Sequence, residues 1–236
     1  MDLHQVDARG RGVALKTDVD ARKRRFELVI FDCDGVLVDS ESITNRVFSS
    51  MLNELGIFVS GEEMFERFVG RSMPQCLAVL ETLLTRPVPD EFVQEYYARS
   101  TRALKSELKA VADIELVLAS LKVPYCVASS GTREKMNTTL GITGLLPKFQ
   151  GKMYSVTEVA NAKPAPDVFL HAAKQMGVAA TACAVVEDTP TGVRAGVAAG
   201  MTVFGYSAVT PQKRLIEARA HYTFERMRDL PGLLFA

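Results

Sequence analysis

The sequence has no surplus of charge of either sign, because its 236 residues include 28 lysines and arginines against 28 aspartates and glutamates. Proteins that bind nucleic acid or an anionic membrane surface generally carry a basic patch or a basic balance. We therefore expect neither as a partner. The sequence also has no apolar run long enough to span a bilayer and no apolar N-terminal segment of the secretory type, which predicts a cytoplasmic protein.

Histidine and paired cysteine are scarce as well. The histidines are His4, His171 and His221, and the cysteines are Cys33, Cys76, Cys126 and Cys183. Zinc sites usually bring such residues together at short spacing, as in CxxC pairs, and this sequence has none. The pattern disfavours metal binding by sulfur or imidazole and indicates free, buried thiols.

What is present is typical of a folded globular protein, with 47% apolar and 24% charged residues. The length suits one α/β unit with an inserted module. Residues 1–25 are polar, lack periodicity and end in the basic cluster RKRR. They predict an N-terminal extension outside the fold.

Four apolar, β-branched runs indicate buried strands: FELVIFDC (26–33), VPYCVASS (123–130), TACAVVEDT (181–189) and MTVFGYS (201–207). Helical patterns lie between them, such as APDVFLHAAKQMG (165–177). This alternation predicts an α/β fold with a parallel sheet covered on both faces. Residues 39–108 carry several helical patterns and no good strand, so we expect a helical module inserted into a core formed by residues 26–38 and 109–236.

Polar residues follow three of the predicted strands. They are Asp32 and Asp34 after the first, Ser129, Ser130 and Gly131 after the second, and Glu187 and Asp188 after the third. In sheets of this kind, ligands bind at the carboxyl ends of the strands. The sequence therefore predicts that these residues line one polar crevice.

The acidic residues of this set predict a magnesium site, because oxygen ligands without histidine or thiolate select hard cations. A cation also relieves the repulsion between Asp32 and Asp34, which lie two residues apart. One carboxylate of this pair is suited to attack phosphorus while the other protonates the leaving oxygen and later activates water. The predicted chemistry is phosphoryl transfer through an aspartyl phosphate.

Donors for phosphate oxygens are predicted at Ser129 and at the backbone amides around Ser130 and Gly131, where a helical segment begins. Lys163, near a turn in NAKPAPD, would balance the charge of the transferred group. Each signal alone has a structural alternative, since a DxD pair is often a turn and acidic residues often cap a helix. Four such signals in order at strand ends favour the functional interpretation.

These motifs resemble the haloacid dehalogenase superfamily, in its phosphatase and β-phosphoglucomutase-like branch. FDCDGVLVDSE is similar to the nucleophile motif DxDGxxxDSE, VASS to the second motif, KPAPD to the third and VVEDTPTGVRAGVAAGM to the acidic fourth. The resemblance covers residues from about 28 to 206. It implies a Rossmann-like core with an inserted α-helical cap over residues 39–108.

The resemblance also implies roles for the residues of the crevice. Asp32 would be the nucleophile, Asp34 the general acid/base, and Ser129, Ser130 and Lys163 phosphate ligands. Mg²⁺ would be held by Asp32, the backbone carbonyl of Asp34 and Asp188, with Glu187 acting through water.

Two features separate the branches of the superfamily. Dehalogenases resemble this nucleophile motif but lack its second aspartate, so Asp34 disfavours that activity. Hexose phosphate mutases carry a cap histidine where this sequence has Thr44, which favours a phosphohydrolase. A phosphosugar mutase and a non-catalytic binding protein on the same fold remain as alternatives.

The stretches EEMFERFVG, LKSELKAV and YCVASSGTREKM are similar to bacterial enzymes described as 6-phosphogluconate phosphatases. This similarity implies a phosphorylated sugar or sugar acid as the small-molecule partner, and a cation for its second anionic end. The candidates are Arg67, Gly70 and Arg71, with Arg46 and Arg133 behind them, although each is equally well an ordinary surface residue. A monomer or a weak homo-oligomer is expected.

Overall fold

The computed structural model describes residues 26–69, 73–84 and 86–235, so the predicted N-terminal extension lies outside the described residues. In this part of the chain, six strands form one parallel sheet with the order β3-β2-β1-β4-β5-β6. The strands are β1 (Leu28–Phe31), β2 (Tyr125–Ser129), β3 (Met153–Ser155), β4 (Cys183–Glu187), β5 (Thr202–Tyr206) and β6 (Tyr222–Phe224).

Helices cover both faces of this sheet, as the alternation of strands and helices predicted. One face carries α5 (Ile114–Ser120), α6 (Arg133–Ile142), α7 (Leu146–Phe149) and α11 (Leu230–Leu234), and the other carries α8 (Asp167–Gln175), α9 (Pro190–Ala198) and α10 (Gln212–Glu217). Side chains of β1 alternate between two apolar clusters, with Val29 and Phe31 in one and Leu28 and Ile30 in the other. The central strand is apolar throughout because both of its faces are buried.

Residues 40–107 hold the helices α1 (Ser40–Glu54), α2 (Gly61–Arg67), α3 (Met73–Leu83) and α4 (Phe92–Glu107), and no strand occurs in the described part of this segment. The four helices pack around an apolar cluster of their own. At its centre the Phe48 ring contacts the rings of Phe68, Phe92 and Tyr96. This segment therefore has a separate core, as an inserted module needs.

The two chain segments that connect the helical segment to the sheet, around residues 37–39 and 109–111, lie side by side. The Asp39 N–H donates to the Lys109 carbonyl at 2.9 Å, and the Val111 N–H donates to the Leu37 carbonyl at 2.9 Å. The segment thus leaves the core after β1 and returns at one place, directly beside the carboxyl end of that strand.

All four predicted strands are present, whereas the edge strands β3 and β6 were not predicted. Each has three residues, too few to give a pattern of alternation. The four cysteines are free and buried, as the sequence indicated. Among the helices of the described residues, none is long and apolar enough to cross a membrane.

Candidate active site

The strand order changes direction between β1 and β4, and the candidate site lies at the carboxyl ends of these strands. A cavity of about 270 Å³ opens there. The predicted residues that line it are Asp32, Asp34, Ser129, Ser130, Gly131, Lys163 and Glu187. Crevices at such switch points are the usual ligand sites of open parallel sheets.

A tight turn after β1 carries both aspartates to the cavity. Gly35 has φ +80°, a conformation that other residues rarely adopt, and its N–H donates to the Val38 carbonyl at 2.8 Å. Cys33, between the aspartates, is buried in the core of the protein. Burial raises the pKa of its thiol well above the usual value, which disfavours the reactive thiolate form.

Lys163 is a buried cation between two carboxylates. Its Nζ donates to Asp32 Oδ1 at 2.6 Å, to Glu187 Oε1 at 2.8 Å and to the Ala128 carbonyl at 3.2 Å. Burial lowers the pKa of this ammonium, but the carboxylates of Asp32 and Glu187 more than offset that effect, and the pKa is raised. Lys163 is therefore charged, and it holds the Asp32 carboxylate in a defined orientation.

Three buried acidic residues form a cluster suited to a metal ion. Asp32, Glu187 and Asp188 each offer a carboxylate oxygen within 4.8 Å of the others. Burial raises the pKa of Asp188 well above its usual value and that of Asp32 to about 7, with Lys163 opposing the rise at Asp32. These shifts indicate that the protein alone does not compensate the negative charge of the cluster.

The partners of the acidic oxygens support the same conclusion. Asp188 Oδ1 is buried and has no hydrogen-bond partner among the described residues. Glu187, by contrast, uses its second oxygen to accept from the N–H and the hydroxyl of Thr189, both at 2.9 Å. An unpaired buried carboxylate oxygen in an all-oxygen cluster fits Mg²⁺, which carboxylates bind well. The donor set therefore fits the predicted metal.

Asp34 is held by two donors that the sequence interpretation did not include. The Ser40 hydroxyl donates to Oδ1 at 2.7 Å, and Lys135 Nζ donates to Oδ2 at 2.7 Å. Burial lowers the pKa of Lys135, but Asp34 outweighs this effect and the pKa is raised. Asp34 thus lies at the cavity with a donor on each of its two carboxyl oxygens.

The other side of the cavity offers donors to an anion. Ser129 is buried, and its Oγ accepts from the Gly131 N–H at 3.0 Å, which leaves the hydroxyl proton available to donate. Ser130 is exposed and lines the cavity. Helix α6 begins beside them, with the Thr132 side chain accepting from the Lys135 N–H at 3.1 Å.

The arginines proposed from the sequence lie elsewhere in the described structure. Arg67 is exposed and 3.8 Å from Glu63, Arg133 donates twice to Glu158 at 3.0 and 2.6 Å, and Arg46 pairs with Glu107. None of the three lines the cavity of Asp32 and Asp34. Gly70 and Arg71 lie outside the described residues.

A second cavity of about 210 Å³ adjoins the first, because Glu41 and Thr189 line both. Its wall includes polar Thr44 and Asn45 and the aromatic ring of Phe48. This cavity lies between the helical segment and the sheet, next to the acidic cluster.

Five residues at the site have no role in the sequence-based prediction: Ser40, Glu41, Lys135, Thr189 and Thr191. Ser40 and Glu41 belong to the DSE part of the quoted motif, so their position was available as a signal. Lys135 lies in the first turn of a helix, where a lysine is ordinarily solvated, and only the fold shows its contact with Asp34.

Comparison with known proteins gives one family match. The family model described as haloacid dehalogenase-like hydrolase matches residues 29–206. Among curated proteins, 6-phosphogluconate phosphatase of Escherichia coli (strain K12) is 36% identical over 211 residues, which cover 89% of this chain and 95% of the relative.

Solved structures show the same architecture. A conserved haloacid dehalogenase-like protein of unknown function from Agrobacterium tumefaciens is 35% identical with a TM-score of 0.84, over 89% of this chain and 97% of that one. A HAD family hydrolase from Deinococcus radiodurans, solved with bound phosphate and sodium, is 29% identical with a TM-score of 0.79, over 89% and 96% of the two chains.

Proposed function

The chain belongs to the haloacid dehalogenase-like hydrolase family and is a hydrolase of phosphate monoesters, and we propose that it is a Mg²⁺-dependent phosphatase of small phosphorylated sugars or sugar acids. The observation that carries the proposal is the buried Asp32 carboxylate, held by Lys163 at 2.6 Å in the same cavity as Asp34. A nucleophile and an acid/base group on one turn are what hydrolysis through a covalent intermediate requires.

In the first step, an oxygen of Asp32 attacks phosphorus, and the bond between phosphorus and the ester oxygen breaks. Asp34 gives its proton to that oxygen, so the sugar leaves as a neutral alcohol. The product on the protein is an aspartyl phosphate at Asp32.

In the second step, Asp34 takes a proton from water, and the water oxygen attacks phosphorus. The bond between phosphorus and Asp32 breaks, which releases inorganic phosphate and restores the Asp32 carboxylate. Ser129 donates to phosphate oxygens during both steps. Lys163, whose ammonium donates to Asp32, Glu187 and the Ala128 carbonyl, places its positive charge beside the transferred group and limits the charge that builds up there.

Asp32, the Asp34 carbonyl and Asp188 are proposed to hold Mg²⁺, with Glu187 acting through water. The support is the unpaired Asp188 Oδ1 and the cluster of three buried carboxylates. When bound, Mg²⁺ supplies charge neutralisation between the nucleophile and the phosphate group.

A phosphorylated sugar or sugar acid, with 6-phosphogluconate among the candidates, is the proposed substrate class. The 36% identical relative carries that name, and the second cavity offers space beside the cluster for a polyhydroxylated leaving group. We also infer that residues 39–108 act as a cap, since helix α1 contributes Glu41, Thr44 and Asn45 to this cavity. Action in the cytoplasm stays a prediction of the sequence.

The residue at position 44 favours hydrolysis over isomerisation, because this chain has threonine where the mutase branch carries histidine. The Thr44 hydroxyl donates to the Ser40 and Glu41 carbonyls of its own helix, at 3.1 and 3.3 Å. A threonine hydroxyl, unlike a neutral imidazole, is not basic enough to take a proton from a sugar hydroxyl.

The test is a panel of sugar phosphates, sugar acid phosphates and nucleotides, assayed with Mg²⁺ for released phosphate and for phosphosugar isomers. We expect phosphate release from sugar or sugar acid phosphates, and its loss in Asp32→Asn with the fold intact. Isomer accumulation with little free phosphate would establish the mutase instead. No activity on any member of the panel would favour the non-catalytic alternative.

A further inference from the structure

Lys135, in helix α6, contacts the turn that carries Asp34. Its Nζ lies 2.7 Å from Asp34 Oδ2, although the two residues are 101 positions apart in the sequence. The Asp34 side chain is 17% exposed and that of Lys135 is 47% exposed. The contact therefore lies at the rim of the cavity, where a leaving group would depart.

Asp34 is restrained from two sides. Ser40 donates to Oδ1 at 2.7 Å while Lys135 donates to Oδ2. Each carboxylate oxygen has two acceptor positions, so each keeps one for a substrate or a water molecule. Two donors on two oxygens fix the rotation of the carboxyl plane, which a proton transfer to one ester oxygen requires.

Lys135 is itself well placed by its surroundings. Its backbone N–H is bound by the Thr132 side chain at the start of α6. A Cβ at Gly131 would lie 3.2 Å from Lys135 Cδ, so the glycine gives the lysine stem its path to Asp34. The sequence at this helix start thus directs one ammonium group to the cavity.

The Lys135 contact is separate from the metal cluster. That cluster consists of Asp32, Glu187 and Asp188, and the buried cation that pairs with two of its members is Lys163. Within residues 26–69, 73–84 and 86–235, the ion pair of Lys135 is with Asp34. The pair is therefore not a substitute for a metal ion between the clustered carboxylates.

We infer that Lys135 is a positioning residue that holds the Asp34 carboxyl toward the leaving-group oxygen, and so favours phosphate esters of alcohols, such as sugar phosphates, over those of acidic phenols. This inference rests on the proposed function. When the Asp34 proton passes to the ester oxygen, Asp34 is left as a carboxylate, and the ammonium beside it balances the new charge. An alkoxide needs this proton to leave, whereas a nitrophenolate leaves without it.

The experiment compares Lys135→Met and Lys135→Arg with the wild type on three substrates, in saturating Mg²⁺. Glucose 6-phosphate and 6-phosphogluconate have alkoxide leaving groups, and p-nitrophenyl phosphate has an acidic one. The quantity is kcat/KM, which reports the steps up to leaving-group departure and is not affected by the later hydrolysis of the phosphoenzyme. Lys174→Met, which removes an exposed lysine of α8, is the matched control.

Lys135→Met is expected to lower kcat/KM about 10- to 100-fold on the alkyl phosphates and less than about 3-fold on p-nitrophenyl phosphate, since proton transfer as a whole contributes roughly 10²- to 10⁴-fold. Lys135→Arg should restore most of the loss, because a guanidinium also donates to a carboxylate. A half-exposed ion pair adds little to stability, so Lys135→Met should fold normally.

Two outcomes would overturn the inference. An equal loss on alkyl and aryl substrates would mean that Lys135 binds the phosphate group itself, and no loss on either would mean that the ion pair is a surface contact only. A failure of the proposed function looks different, because it would appear as undiminished activity of Asp32→Asn or as no wild-type activity on any of the three substrates.

Discussion

The backbone of Gly35 packs directly against the Asp188 carboxylate: a Cβ added at Gly35 would lie 2.0 Å from Asp188 Oδ2. The turn after β1 and the loop after β4 therefore pack so closely that no side chain fits at Gly35. This approach places the Asp34 backbone beside the acidic cluster. Gly35 also has φ +80°, so two separate constraints require glycine at this position.

Gly35→Ala should abolish most activity, because the new methyl group displaces the Asp188 carboxylate from the cluster. Gly56→Ala is a matched control: Gly56 has φ +84°, but an added Cβ there would meet no atom within 4 Å. Both variants should lose about 1 kcal/mol or more of unfolding free energy through backbone strain. Urea denaturation and phosphate release are the measurements. Equal activity of the two variants would show that the contact with Asp188 is unimportant.

Mg²⁺ should raise the melting temperature of the wild type and not that of Asp188→Asn. A ligand that binds only the native state adds about 2.7 kcal/mol at a concentration 100 times its Kd. In the absence of metal, Asp188→Asn should be as stable as the wild type or more so, because it removes a buried carboxylate whose Oδ1 has no hydrogen-bond partner among the described residues. Asp90→Asn, which changes an exposed aspartate, is the control. A full Mg²⁺ shift in Asp188→Asn would exclude Asp188 as a metal ligand.

The metal-free protein should lose stability as the pH rises from about 4 to about 7 through the titration of Asp32. Burial raises its pKa in the native state from 3.8 to about 7, with Lys163 opposing the rise. In this range the native state keeps a proton that the unfolded state has lost, so the free energy of unfolding falls with pH. Urea denaturation in EDTA at about pH 5 and about pH 8 measures this slope.

Comparison with Asp32→Asn removes the titrations outside the acidic cluster, which both proteins share. Relative to this variant, the wild type should become less stable across the interval, by about 1.4 kcal/mol per unit of pKa shift. Saturating Mg²⁺ should remove the difference, because a bound cation favours the ionised carboxylate. A wild type that gains stability over Asp32→Asn as the pH rises would contradict the prediction.

Lys163→Met should unfold more easily and lose activity. Removing one partner of a buried ion pair typically costs about 3–5 kcal/mol, and here two carboxylates lose their cation. The double variant Lys163→Met/Glu187→Gln should recover part of the stability, because it removes the buried Glu187 charge together with the lysine that neutralises it. Its activity should stay low. Recovery of activity in the double variant would mean that Lys163 only neutralises Glu187 and does not serve the phosphate.

The sheet was predictable where its strands are buried on both faces. Continuous apolar runs mark β1, β2, β4 and β5, whereas β3 and β6 pair on one side only and have three residues each. The prediction of an inserted helical segment rests on the helical periodicity that begins at about residue 39. Its packing around Phe48 depends on contacts between helices far apart in the sequence.

The site was predictable where its residues end strands, since parallel strands bring their carboxyl ends to one edge. Asp32, Ser129 and Glu187 meet for that reason. Lys135 reaches Asp34 from a helix, and no pattern in the sequence gives the direction of a helical side chain toward a distant turn. A cation that binds the second anionic end of the substrate stays a prediction. Arg67 and Arg133 pair with glutamates outside the cavity of Asp32 and Asp34.

Covalent phosphorylation of Asp32 is the central claim, and rapid-quench mass spectrometry tests it most directly. Wild-type protein would be mixed with Mg²⁺ and 6-phosphogluconate or glucose 6-phosphate, quenched in acid within the first turnover and digested. The peptide that contains Asp32 is expected to carry the added mass of one phosphoryl group in the wild type and not in Asp32→Asn. Rapid phosphate release without that adduct, or an adduct on another residue, would contradict it.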